Sequence, residues 1–173
     1  MDLRLAEPAD LPGLERVYRA IVREMEAQGL LVWDEEYPCC CFPEDIKNRR
    51  LHVLAQGREI AGAFALCLPD SGPSGLCWSC GANEALELAR LGVCVERRGQ
   101  GLGGLLIRRA AALAREAGKR QLRLLVADGN RPAIAFYEKN GFRRVEGFYD
   151  HVVDKDLTLR EYGYEFNWEE QSW

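Results

Sequence analysis

No stretch of about 18 or more consecutive apolar residues, the length that crosses a bilayer, occurs in the 173 residues, so no membrane partner is expected. The first ten residues, MDLRLAEPAD, carry acids where a secretory leader needs a basic and then an apolar start, which predicts a cytoplasmic protein. Positive charge is in short supply: 23 Lys and Arg against 27 Asp and Glu leave a net charge of −4. That balance argues against nucleic acid as the main partner, because a phosphate backbone demands a basic surface. Only two histidines are present, His52 and His151, each without an obvious partner, and they read as strand-surface residues rather than bases. Internal repeats and low-complexity tracts are absent. The length suffices for one well-buried core and is short for two, so residues 1–173 are expected to form a single domain.

Cysteine is not scarce, but seven is an odd number, and without a leader it points to reduced thiols rather than a disulfide framework. Cys39-Cys40-Cys41 and Cys77-x-x-Cys80 together could bind zinc, yet a structural site needs a second correctly spaced pair, so no metal is expected. A redox role for CWSC lacks the preceding strand and following helix that such chemistry uses, which leaves free cysteines acting as small hydrophobes.

The apolar spacing predicts a short strand at LRLAE and a helix from about Asp10 to Gln28, with Asp10 able to cap it and Gly29 placed to end it. After the loop LLVWDEEYPCCCF and a short helix near Glu44 to Arg50, LHVLAQ and REIAGAFALCL read as a hairpin around Gly57. PDSGPSGLCWSCGANE is either an excursion at a site or a floppy surface loop. LELARLGVCV reads as a buried strand, 102–117 as a helix stopped by Gly118, QLRLLVA as a strand, and a helix opens at Asn130 with Pro132 in its first turn. GFRRVEGFY and DLTLREYGYEF read as the last strands.

The densest cluster of glycine, GQGLGG at residues 99–104, stands between the apolar strand and the alanine- and leucine-rich helix. A helix start has unpaired N–H donors and a partial positive charge, so this order presents bare backbone to an anion. Arg97, Arg98, Arg108 and Arg109 reverse the sign of the charge locally. A phosphate-loop NTPase is excluded because no Gly-Lys-Ser/Thr follows. Gly99-x-Gly101-x-x-Gly104 does satisfy the dinucleotide-binding pattern, and Asp128 lies near where a ribose-binding acid would. However, Glu96, Arg97 and Arg98 intervene after the apolar run, and the 69 residues after Gly104 are too few for the rest of a two-halved dinucleotide fold.

Read in a different register, Arg98-x-x-Gly101-x-Gly103 follows Leu91-Gly-Val, and Asn130-x-x-Ala-x-x-Phe-Tyr137-Glu-Lys-Asn-Gly141-Phe142 follows at the right separation. This pair of motifs resembles the GNAT superfamily of acyl-CoA-dependent acyltransferases, closely over about residues 85–148 and by element order elsewhere. The resemblance implies an α/β (α+β) fold with a mixed, mostly antiparallel central sheet, splayed between strands 4 and 5, and helices on both faces. It also implies acetyl-CoA as co-substrate. Its pyrophosphate would lie on the backbone of Arg98, Gly99, Gln100, Gly101, Leu102, Gly103 and Gly104, and its pantetheine arm on the backbone of Leu91, Gly92 and Val93. Asn130 would bond the arm, cap its helix, or do both. A side chain at Gly101 or Gly103 would stand between backbone and phosphate. Val95 stands where many relatives have proline, which leaves the turn before Glu96 undefined.

Acyl transfer needs a neutral amine, and one with pKa about 10.4 is neutral at pH 7 in only about one molecule in 2,500, a deficit of roughly 4.6 kcal/mol. By resemblance Tyr137 is the acid that protonates the thiolate leaving group, a phenol needing no ionisation to do so; read without it, Tyr137 is a core aromatic. Relatives with an acid on the fifth strand would carry it near Leu125, where RLLVA offers none. Glu87 is the substitute base, directly or through a water, or an idle strand-end carboxylate. Trp33, Glu35, Glu36 and Tyr37 suit a cationic amine acceptor, the acids otherwise being solvated. Cys94 reads as a core cysteine, and the resemblance implies direct attack in a ternary complex rather than a covalent enzyme intermediate. The expected acceptor is a small-molecule primary amine, with protein N-terminal or lysine acetylation and a non-catalytic acyl-CoA sensor as alternatives. The tail EYGYEFNWEEQSW closes the acceptor site, packs in a homodimer, or frays.

Overall fold

A computed structural model of the chain describes residues 1–69, 75–153, 155 and 157–168. In chain order the elements are β1 (Asp2–Leu5), α1 (Leu11–Ala27), α2 (Phe42–Lys47), β2 (Leu51–Gln56), β3 (Glu59–Cys67), β4 (Leu76–Cys77), β5 (Ala85–Val93), α3 (Leu102–Glu116), β6 (Gln121–Ala127), α4 (Arg131–Lys139), β7 (Arg143–Arg144), β8 (Glu146–Gly147), β9 (Tyr149–Val152) and β10 (Thr158–Asn167). Residues 1–66 with 89–110 form one compact unit, and 67–88 with 111 onward form a second, the division falling inside β5 and α3.

In the first unit the strand order is β1-β2-β3-β5, with β1·β2 and β2·β3 antiparallel. Gly57, at φ 61, turns the β2–β3 hairpin. Helix α1 buries Leu14, Val17, Tyr18, Ile21 and Val22, the three- and four-residue spacing that puts one apolar stripe against the sheet. Gly29 ends it in the left-handed conformation, φ 74, which glycine adopts without a Cβ penalty. Asp10 does not cap α1 as expected. A 3₁₀ turn over Pro8–Asp10 precedes the helix and turns its carboxylate back to Arg4 (both pairs at 2.7 Å) and to the N–H of Glu7 (2.8 Å). The second helix begins earlier than the spacing predicted, at Phe42, because Pro43 fits its first turn.

In the second unit the order is β5-β6-β10-β7, with β9 also on β10. Among the registered pairs of the described residues only β5·β6 is parallel, Ala85–Glu87 lying against Gln121–Arg123; the others are antiparallel, so the sheet is mixed and mostly antiparallel as expected. GFRRVEGFY is not one strand. The buried Val145 donates its N–H to Gly163 (2.9 Å), and Gly147, at φ 95, then swings the chain away so that Glu146 and Gly147 pair with β4 instead.

The expected loop PDSGPSGLCWSCGANE falls partly on 70–74, outside the described residues, but the rest is pinned. Trp78 lies where a Cβ on Gly163 would be (2.8 Å), and the Arg123 guanidinium stacks over its ring at 4.6 Å. Arg123 also donates to the carbonyl of Cys80 and to Gln121. The side-chain nitrogen of fully buried Gln121, with two protons to give, lies within hydrogen-bond distance of Ser79 (2.7 Å), Glu165 (2.9 Å) and Asn167 (2.8 Å). A buried amide with every proton placed is the arrangement that avoids an unsatisfied-donor penalty of about 1–3 kcal/mol. Among the described residues no helix is long and apolar enough to cross a membrane.

Candidate functional site

Strand β5 carries its irregularity at Arg90, a non-glycine residue at φ 54. Two anchors hold it there. The Tyr18 hydroxyl donates to the Arg90 carbonyl at 2.5 Å, and the Arg90 guanidinium meets the fully buried Asp45 carboxylate at 2.7 and 3.0 Å. Asp45 also accepts from Arg50 at 2.5 Å. Leu91 and Val93 follow half-buried, and Gly92 between them is buried. A Cβ on Gly92 would stand 2.8 Å from the Tyr18 ring, and one on Gly62 would stand 2.8 Å from the Gly92 carbonyl, so both glycines are required by close approach.

Beyond β5 the Cys94 N–H bonds the Ala61 carbonyl (2.9 Å), and Val95–Arg97 form a 3₁₀ turn, so valine in the place of proline still turns the chain. Arg98 is extended, and Gly99 and Gly101 both sit at φ 75. No atom lies within 4 Å of where their Cβ atoms would be, so the backbone faces open space. The Gly101 carbonyl accepts from Leu105 N (3.1 Å), which leaves the N–H groups of Leu102, Gly103 and Gly104 without intrahelical acceptors. Glycine is thus demanded by conformation at 99 and 101. Gly103 lies within α3, inside the helix expected over 102–117. Two of the four arginines expected to add charge are already paired: Arg97 with Glu59 at 3.1 Å, and Arg98 with Glu24 at 2.5 Å. Arg108 and Arg109 are exposed on α3.

The aromatic loop joins this part of the fold through Tyr18, whose ring stacks on Trp33 (5.7 Å) and meets Phe42 edge-on (4.8 Å). Tyr37 packs edge-on against Trp33 at 6.4 Å. The Asp34 carboxylate accepts from the N–H groups of Glu36 (2.8 Å) and Tyr37 (2.7 Å), bending the loop so that Glu35 and Glu36 are exposed. Cys94 is not a core cysteine: it is half-buried past the end of β5, with its thiol 2.9 Å from Glu96. Burial and the Glu96 carboxylate push that thiol up, so it stays a poor nucleophile. Burial likewise pushes Cys41 up to about 11. All seven cysteines are free thiols, and among the described residues no group of three His, Cys, Asp or Glu is arranged to hold a metal.

The second unit carries the remaining expected residues. Glu87 is half-buried on β5, registered against Arg123 of β6. Asn130 caps α4, its side chain accepting from Ala133 N at 3.3 Å. Tyr137, one turn and a half into α4, is half-buried among aromatic rings, Phe136 at 5.5 Å and Phe142 at 5.7 Å, and burial pushes its phenol well above the ordinary value. The phenol is therefore held protonated. His52 stacks on Phe64 (5.1 Å) with its pKa lowered by burial, and His151 lies 3.5 Å from Glu161.

Sequence reasoning passed over Tyr18, Glu24, Asp34, Asp45 and Arg90. Tyr18 lies on the apolar stripe of α1, and the sequence around Asp45 names no partner for it. Only Asp34 left a signal, an Asx residue two and three positions before amides that it then binds.

Chain and fold are similar to those of known acetyltransferases. A streptothricin acetyltransferase of Streptomyces lavendulae is 42% identical over 99 residues, 57% of this chain and 47% of that protein. The matched part thus spans about half the length of that relative. Among solved structures, an acetyltransferase of Listeria monocytogenes 4b F2365 superposes with a TM-score of 0.71 at 18% identity, covering 96% of this chain and 94% of the other. The PaiA N-acetyltransferase of Thermoplasma acidophilum, solved in complex with coenzyme A, superposes at 0.67 with 19% identity over 96% and 98%. Residues 14–142 match the sequence profile described as the Acetyltransferase (GNAT) family, and the chain belongs to that family.

Proposed function

We propose that the chain is an acetyl-CoA-dependent N-acetyltransferase acting on the primary amine of a small molecule. The observation that carries the reading is the loop of Arg98 to Gly104, where two left-handed glycines open onto free space and the bare start of α3 follows. Backbone N–H groups converging at a helix start suit a pyrophosphate. Leu91, Gly92 and Val93 offer backbone to the pantetheine arm, and Asn130 adds a side-chain bond from its own loop. The bound coenzyme supplies an activated acyl group and a thiolate leaving group.

The chain's residues handle the protons. Glu87, directly or through a water, takes the proton from the attacking amine. As the C–N bond forms and the C–S bond breaks, Tyr137 gives its phenolic proton to the departing sulfur. The raised phenol pKa keeps the proton on Tyr137 across the working range, so the group stands loaded when the thiolate departs beside it. Trp33 and Tyr37 offer ring faces to a cation, and Glu35 and Glu36 offer charge; a compact basic amine fits this set. Similarity to an enzyme named for streptothricin agrees in kind with such an acceptor.

Thermal unfolding with acetyl-CoA, free CoA or NADPH tests the coenzyme. At about 100 times its dissociation constant, a ligand adds roughly 2.7 kcal/mol and raises the midpoint by about 5–11 °C. A rise with both CoA forms and none with NADPH supports the reading, and a rise with NADPH alone ends it. If coenzyme binds but no amine, peptide or protein N-terminus releases thiol above background, the chain is a sensor rather than an enzyme.

The Glu24 pairing makes a separate expectation. In the free protein that carboxylate occupies Arg98, so an incoming pyrophosphate must take the guanidinium from it. Glu24→Gln is expected to tighten acetyl-CoA binding by about 2- to 5-fold, the scale of a partly exposed ion pair, with a steeper dependence on salt. Titration calorimetry at two ionic strengths checks this; weaker binding would mean that Glu24 orients Arg98 rather than competing for it.

A further inference from the structure

We propose that Tyr18 and Asp45 are positioning residues that hold the backbone of Leu91, Gly92 and Val93 in its coenzyme-accepting form, and that Tyr18 also links that backbone to the acceptor loop. The inference rests on the function proposed above for those three residues.

A non-glycine residue at positive φ persists only where its surroundings over-determine it. Arg90 has that φ in the middle of a strand, and it is gripped from two different elements. From α1, the Tyr18 hydroxyl fixes the Arg90 carbonyl and also reaches the Ala63 carbonyl of β3 at 3.2 Å. From α2, Asp45 fixes the guanidinium, with Arg50 as its second cation. Asp45 is wholly buried and Arg90 is 11% exposed, so neither charge has an alternative in solvent.

The position of the irregularity matters because side chains and backbone groups alternate along a strand. An inserted left-handed residue resets which face the following residues present. Released from its anchors, Arg90 returns to extended geometry, and the backbone groups of Leu91 and Val93 rotate away from the direction the arm requires. Tyr18 adds the second role. One part of its ring stacks on Trp33, while Gly92 lacks a side chain because that same ring fills its place.

Tyr18→Phe separates the two roles, since it keeps the ring under Trp33 and removes only the hydroxyl. Steady-state kinetics and hydrogen exchange of the segment 86–94 in the free protein are measured for Tyr18→Phe and Asp45→Asn. The clamp predicts that Tyr18→Phe raises KM for acetyl-CoA by about tenfold, the upper scale of one lost hydrogen bond, while KM for the amine changes less than twofold. Exchange in 86–94 speeds by a similar factor with the rest of the chain unchanged. Asp45→Asn gives the same local exchange change, and a larger one. Unchanged exchange in 86–94 for Tyr18→Phe overturns the proposal, as does a proportional rise in both KM values. Exchange needs no turnover, so it decides the clamp even if the wild type acetylates no amine, a result that removes the enzymatic reading instead.

Discussion

Replacing Tyr137 by phenylalanine is expected to lower kcat by about 100-fold or more while leaving the dissociation constant of acetyl-CoA within a factor of about two, the scale of a lost general acid. The ring's contacts with Phe136 and Phe142 survive the change, so the fold and its thermal midpoint should hold. The pH profile carries a second mark. A phenol raised by burial keeps its proton through the range where an ordinary tyrosine would lose it, so the acid remains competent as pH rises. The amine meanwhile gains its neutral form over the same range. The rate should therefore climb with pH and show no descending limb near pH 10, the ordinary phenol value. A thiol-release assay of both proteins from pH 6 to about 10 measures this. A phenylalanine variant with wild-type kcat would remove Tyr137 from the chemistry.

Gly101→Val is expected to weaken acetyl-CoA binding by about 5- to 150-fold, which is roughly 1–3 kcal/mol of backbone strain read at 1.4 kcal/mol per decade. The space around Gly101 is open, so the penalty is conformational: a β-branched residue disfavours φ 75 and pulls the loop out of the form that points its N–H groups outward. Gly103→Ala is the matching control. Its backbone lies in α3, where alanine is the better helix former, so a loss of affinity there reports contact of the new methyl with the bound anion and not strain. Equal affinity of Gly101→Val and wild type, measured by calorimetry, would place the anion elsewhere.

Elements with a clear period and a clear stop were legible in the chain itself. The stripe from Leu14 to Val22 ended by Gly29, the run QLRLLVA, and the Asn130-x-Pro helix start each formed at or within a residue or two of the expected place. The glycine loop was legible for a related reason: only backbone conformation explains so many bare positions before a helix. The clamp on β5 was not. Arginine gives no local hint of a left-handed φ, and its two anchors are 45 and 72 residues away in sequence. The splitting of GFRRVEGFY into β7, β8 and β9 was hidden because the competing partner, β4, is a two-residue strand inside a Gly- and Ser-rich loop. One signal was available and unused. Gln121 and Arg123, two apart on a strand otherwise apolar, share a face, and that face had to meet polar partners somewhere. They turned out to be Ser79, Cys80, Glu165 and Asn167.

The placing of β10 has a consequence for synthesis. It is the antiparallel neighbour of β6, β7 and β9 at once, and it follows all three in the sequence. Until residues 158–167 leave the ribosome, β6 exposes the edge that carries Leu122, Leu124 and Val126, an apolar row of unsatisfied backbone donors and acceptors. A nascent chain stalled after β9 therefore keeps that edge open until β10 arrives or a holding chaperone covers it.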